Sequence, residues 1–307
     1  MCRIRRLGFS LIEILIVIGV IGVLLGLALS ALRSARGAAE RTGCANNLKQ
    51  IGIALQNYHA ANGRLPPRPT HDLSGGDPNL HLSWMALILP QLGQEGLYQT
   101  SVDACAVEFD LTRNPPHTGF ATVVGEYVCT ADGRLSSPLI DAQNGQMAAY
   151  ASYVGIASAI PQQAKNGSFG PLGKKPGSRF GEITDGLSNT IMVGERPPPD
   201  SLQAGWWYPD GHGWGSQVMP GPNTRIHLGL GHSMIAVDLQ CQTGVRTEFG
   251  PGRADNPCDR FHLWSLHSGG ANFLFADGSV RFLSYSVGDL INKLGTIDGG
   301  EVVTLPE

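Results

Sequence analysis

Gly8-Phe9-Ser10-Leu11-Ile12-Glu13, continued without a break by the apolar run that closes at Leu32, is the stretch that decides the architecture of this chain. Between Phe9 and Leu32 the only ionisable side chain is Glu13. As a helix rising 1.5 Å per residue the run measures about 36 Å, enough to cross the hydrocarbon core of a bilayer. Arg3, Arg5 and Arg6 precede it, as they would in a secretory signal peptide. A signal core is shorter, about 7 to 15 residues, and closes on small residues at a cleavage site. Here Ser30-Ala31-Leu32 leads straight into a polar helical stretch, so residues 9–32 read as a transmembrane helix behind a short leader, residues 1–8. Basic residues do not orient it, because Arg33, Arg36 and Arg41 follow it as the leader arginines precede it. A carboxylate in such a helix costs a few kcal/mol or more, so Glu13 requires a cationic partner or a route to the headgroups.

Beyond the membrane, Ala35, Ala38, Ala45, Leu48, Ile51, Leu55 and Tyr58 keep a helical spacing while polar residues fill the other face. Residues 33–62 are therefore predicted to be a stem helix, ended by Asn62-Gly63 and barred from continuing by Pro66-Pro67. Residues 63–307 form the soluble body. Within it, residues 64–80 read as loop, and Ser83 caps a short helix holding Trp84, Leu87 and Ile88 that Pro90 limits. Asp-Gly pairs beginning at Asp132, Asp185, Asp210, Asp277 and Asp298 mark turns and predict antiparallel sheet. Around Asp277-Gly278 a two-residue hairpin loop would set Phe275 opposite Val280, Phe273 opposite Phe282 and Leu274 opposite Arg281. Val287, Leu290, Ile291 and Leu294 then give a short closing helix before Gly295.

With 307 residues and 42% hydrophobic content the chain can bury a sizeable core. A net charge of -3 and a pI near 6.3 offer no basic field for nucleic acid, so none is expected as a partner. The 41 Gly and 20 Pro, with only 15% charged residues, favour turns and short strands over a helical bundle.

Gly8 to Glu13 resembles the processing site of type IV prepilins and type II secretion pseudopilins. The resemblance implies that prepilin peptidase cuts after Gly8 on the cytoplasmic side and methylates the new N-terminus, Phe9. It also implies that Glu13 pairs with the Phe9 amine of a neighbouring subunit, its own kind or another pilin-like chain, fixing register in an assembly. The protein would be a single-pass inner-membrane protein with its body periplasmic or extracellular. One feature departs from many pilins: Gly26-Leu27-Ala28-Leu29-Ser30-Ala31 holds no helix-bending Pro. The body resembles a large bacterial prepilin-like family of unknown function named for a C-terminal His, nine residues, Asp-Gly motif, matched here by His267, Asp277 and Gly278. Further matching blocks run from Cys44 to Tyr58, Ser83 to Tyr98 and Glu182 to Glu195. That likeness implies a pilin-like α+β fold, the long helix on an antiparallel sheet, and no established reaction; a β-rich insertion between residues 64 and 260 is expected beside it.

His212, His227, His232, His262 and His267 crowd the last third, but none has the spacing that closes a zinc site, and no nucleophile elbow or nucleotide loop is present. No catalytic residue, metal or cofactor is therefore expected. Asp185, Ser188 and Asn189 could hold calcium, although a turn with local hydrogen bonds explains the same residues. Trp206, Trp207, Tyr208 and Trp214 suggest either an aromatic platform for sugar or a partner protein, or packing over the open end of the sheet. Cys2 leaves with the leader; Cys105 with Cys129 and Cys241 with Cys258 are the local pairings, leaving Cys44 over, but sequence does not fix connectivity. The function expected is that of a pseudopilin-like assembly subunit. Its rivals are a monomeric anchor presenting a ligand-binding domain and an exported hydrolase.

Overall fold

The computed structural model describes residues 11–67, 77–108, 117–140, 145–156, 177–202, 205–208, 218–219, 249–288, 290–300 and 303. Its first element, α1 (Leu11–Asn62), is one uninterrupted helix serving two environments. In the first half Leu11 is 83%, Leu24 60% and Leu32 65% exposed, so none of the described body residues covers it. The most apolar 18-residue window has a mean hydropathy of 2.8 and is 0% buried. In the second half Cys44, Leu48, Ile51, Gly52, Ala54 and Leu55 are buried, a stripe with three-to-four-residue spacing. The helix ends where Asn62-Gly63 predicts: Gly63 has φ 70° and its amide donates to the His59 carbonyl at 2.7 Å.

The buried stripe packs on a five-stranded sheet made of β3 (Tyr153–Ile156), β4 (Ile191–Glu195), β5 (Val218–Met219), β6 (Gly270–Phe275) and β7 (Val280–Ser284). Their order is β5-β3-β4-β6-β7, and every neighbouring pair is antiparallel except β3 with β5. A separate two-stranded ribbon joins β1 (Leu139–Ile140) to β2 (Met147–Ala148). Every residue of β3, β4 and β6 is buried, because α1 covers one face while Phe249, Leu263, Val287 and α4 (Leu290–Leu294) cover the other. Strands covered on both sides carry near-continuous apolar runs, as Ile191-Met192-Val193 does. Close approach of helix to sheet depends on Gly52, where a Cβ would lie 2.7 Å from Leu274 Cδ1.

The hairpin forms at Asp277-Gly278 but in a different register from the one expected. Leu274 pairs with Val280, Phe273 with Arg281 and Asn272 with Phe282. The loop is three residues long: Gly278 N donates to Phe275 O, Phe275 N donates to Ser279 O, both at 2.9 Å, and Gly278 takes φ 81°. That is a type I turn closed by a glycine bulge, which shifts the pairing by one residue relative to a two-residue loop. Phe282 consequently stands on the stem side, where the Arg41 guanidinium lies 4.8 Å from its ring centroid.

Strands in the insertion begin only at Leu139. From Pro78 to Ser136 the described chain is a succession of short helical turns, including α2 (Trp84–Leu87) and α3 (Glu95–Val107). Apolar residues arrive there as contiguous clusters between Pro and Gly rather than alternating, and Asp77, Ser83 and Asp132 side chains cap turns in place of a strand ladder. Trp206, Trp207 and Tyr208 are core residues, packed with Phe120, Tyr127 and Tyr150, and form no exposed platform; Trp214 lies outside the described residues.

The pairing of Cys129 also differs from the sequence-local one with Cys105. Cys44 on α1 is bonded to Cys129, with Cα atoms 4.8 Å apart across a separation of 85 residues. Cys105 is a buried thiol that burial pushes up to about 12. Cys258 is disulfide-bonded, and Cys241 lies outside the described residues.

Candidate functional site

Two places in the chain concentrate chemistry. The first is the N-terminal end of α1, beside the expected processing site. Gly8 and Phe9 lie outside the described residues, while Glu13 occupies the first turn of α1 and is exposed among Leu11, Ile12 and Ile14. An acid near a helix N-terminus is favoured by the helix dipole, but this one sits among apolar side chains that stand exposed.

The second is a buried cluster at the junction of stem and sheet, and it was not foreseen from sequence. Cys44 comes from α1, Cys129 from the turn after Gly125–Tyr127, Glu195 from the last position of β4 and His267 from the approach to β6. Their ligand atoms all lie within 4.8 Å of one another. His267 Nε2 is 3.4 Å from Glu195 Oε1 and 3.6 Å from Cys129 Sγ. Both side chains are almost fully shielded, 4% exposed for His267 and 1% for Glu195.

A carboxylate so placed needs compensation, and Asn272 supplies it twice. Its backbone amide donates to Glu195 Oε2 at 2.7 Å and its side-chain amide to Oε1 at 3.0 Å. Below the cluster, the Tyr153 hydroxyl donates to the Cys44 carbonyl at 3.2 Å, and burial first, then the nearby Glu195 charge, holds this phenol well above its ordinary pKa. His267 is fixed from its backbone: its amide donates to Ser265 Oγ at 3.0 Å, and that hydroxyl donates to the Gly270 carbonyl at 2.6 Å. The motif acid Asp277 does not reach the cluster. It orders the hairpin instead, accepting from Ser279 N at 2.8 Å, while Lys49 Nζ of the stem donates to the Gly278 carbonyl at 2.7 Å.

Asp185, Ser188 and Asn189 stay together on one turn. The Asp185 carboxylate accepts from Thr296 Oγ1 at 2.8 Å, Gly299 N at 2.8 Å and Gly300 N at 2.7 Å, which fastens the segment after α4 to the end of the sheet. Asn189 Nδ2 donates to the Asp185 carbonyl at 3.3 Å. Donors, rather than the oxygen ligands a hard cation needs, converge on this acid. Of the late histidines, His262 is buried with Nε2 3.1 Å from Asp259 Oδ1, and His212, His227 and His232 lie outside the described residues.

The signal that sequence reasoning passed over was positional. Cys44 opens one of the blocks quoted above, Glu195 closes another and His267 opens a third, so block ends converge in space. Spacing rules for metal and catalytic motifs look along the chain and are blind to such convergence.

Residues 3–29 match the prokaryotic N-terminal methylation motif, which encloses Gly8, Phe9 and Glu13. With the lone apolar helix among the described residues that is long enough to cross a bilayer, this defines a pilin-like or pseudopilin-like protein, processed at its N-terminus and anchored in a membrane. Residues 33–290 match the family described as a protein of unknown function (DUF1559), and the chain belongs to it. Neither a curated protein nor a solved structure matches the chain.

Proposed function

We propose that the protein is an assembly subunit of a secretion- or pilus-like structure, working by association and surface binding rather than by turnover. Prepilin peptidase cuts after Gly8 at the cytoplasmic face of the inner membrane and methylates Phe9, leaving the body on the periplasmic or extracellular side. The observation that carries the reading is the division of α1: an uncovered apolar half holding a single acid continues without a break into a half locked in the core of the body. A helix so divided transmits a fixed body orientation to whatever packs its membrane half. Glu13 of one subunit then pairs with the Phe9 amine of the next. The Cys44–Cys129 bond fits a body held in an oxidising compartment.

Supporting this over turnover, the Glu195–His267 pair stands beside Cys129 Sγ, and that sulfur is engaged in a disulfide. The sugar-platform reading loses its support with Trp206 and Trp207 in the core. Processing is tested by mass spectrometry of the mature N-terminus. The native chain should begin at N-methylated Phe9, and Gly8→Asp should leave the leader attached. A native chain beginning elsewhere would sink the reading.

A further inference from the structure

The oxidised clasp between stem and body is built from residues that also make a metal-ligand set. We propose that when the Cys44–Cys129 bond is opened by a reductant, Cys44, Cys129, Glu195 and His267 close around one zinc-class divalent cation, so that disulfide and metal are alternative forms of the same clasp.

Geometry supports this first. Zinc bonds of about 2.3 Å to sulfur and about 2.0 to 2.1 Å to nitrogen or oxygen place tetrahedral ligand atoms roughly 3.4 to 3.8 Å apart. His267 Nε2 already stands 3.6 Å from Cys129 Sγ and 3.4 Å from Glu195 Oε1. The two sulfurs must separate, and the four ligand atoms, now within 4.8 Å of one another, must draw in by no more than about 1 Å. The donor set is two thiolates, an imidazole and a carboxylate, a combination that selects zinc, or cobalt in its place, over calcium or magnesium. Charge points the same way: two buried thiolates beside the Glu195 carboxylate repel one another unless a dication sits between them. Asn272 holds that carboxylate from the outside as an orienting hydrogen-bond partner of a ligand does. Cys44 on α1 and Glu195 on β4 are fixed by the core, so these two ligands keep their places when the covalent bond is lost.

The chemistry balances with a water-soluble phosphine as reductant. The phosphine takes an oxygen atom from water and becomes its oxide, the sulfur–sulfur bond breaks, and the two hydrogens of the water end on two thiols. Binding of a dication then releases those two protons.

The test takes the full chain in detergent micelles, unfolds it in phosphine and refolds it in phosphine with cobalt(II) as the probe. One cobalt per chain is expected, with thiolate-to-cobalt charge-transfer absorption and tetrahedral visible bands that zinc abolishes. Chain refolded without reductant should take up none. His267→Ala should weaken binding at least about tenfold, as loss of a ligand does, while Cys105→Ser leaves it unchanged. A readout without variants guards against misfolding: bound cobalt should protect Cys44 and Cys129 from alkylation, mapped by mass spectrometry, and leave Cys258 reactive. Absence of cobalt from the reduced wild type, binding indifferent to His267→Ala, or protection at other cysteines would each overturn the proposal.

Discussion

At the residue scale, Gly278 carries two constraints at once. Its φ of 81° suits the bulge that closes the hairpin, and a Cβ there would meet Gln56 Nε2 at 2.5 Å. The glutamine end can swing away, so backbone strain dominates, and Gly278→Ala should destabilise the body by about 1 to 3 kcal/mol. Denaturant unfolding of the detergent-solubilised chain measures this; an unchanged midpoint contradicts the turn. Asn272 is the second test. Its side chain gives Glu195 Oε1 a hydrogen bond that no water replaces in so buried a place, so Asn272→Ala should cost on the order of 1 to 3 kcal/mol. The same unfolding experiment decides it, and Asn272→Asp should be worse than Ala, because it sets a second acid beside the first.

At the scale of elements, the stem and the body are joined by burial along α1 and by the Cys44–Cys129 bond. Closing so long a loop, the bond contributes on the order of 2 to 4 kcal/mol. Replacing both cysteines by serine should lower the unfolding free energy of the oxidised chain by that amount, and an equal free energy for the two proteins would show that burial alone holds the stem. The stem, its end at Asn62 and the closing helix α4 were legible because helical spacing and stop residues are local signals. The hairpin was legible in place but not in register, since Asp-Gly suits both a two-residue loop and the last two positions of a three-residue loop, and the choice lies in how Phe275 and Ser279 bond. The Cys44–Cys129 bond was not legible: nothing local to either cysteine records that α1 passes beside the turn holding Cys129. Glu195 and His267 were hidden by the same non-locality, which the order of elements in the sheet creates.

At the scale of the whole molecule, the body is carried on a helix whose apolar first half stands exposed. Leu11, Leu24 and Leu32 expose most of their surface, and the acid among these apolar residues lies at the end nearest the cleavage site. Assembly through that half, with Glu13 against a neighbour's N-terminal amine, is the central claim. Glu13→Leu makes the helix more apolar, so membrane insertion and cleavage after Gly8 should both persist. Association should fail, because a buried amine left without its carboxylate costs about 3 to 5 kcal/mol. The deciding measurement compares crosslinked oligomers of the wild type and Glu13→Leu in intact cells, after both are shown to be cleaved and in the membrane. A ladder of oligomers is expected for the wild type and monomer for the variant; equal ladders, or no ladder from either, would rule out assembly through Glu13.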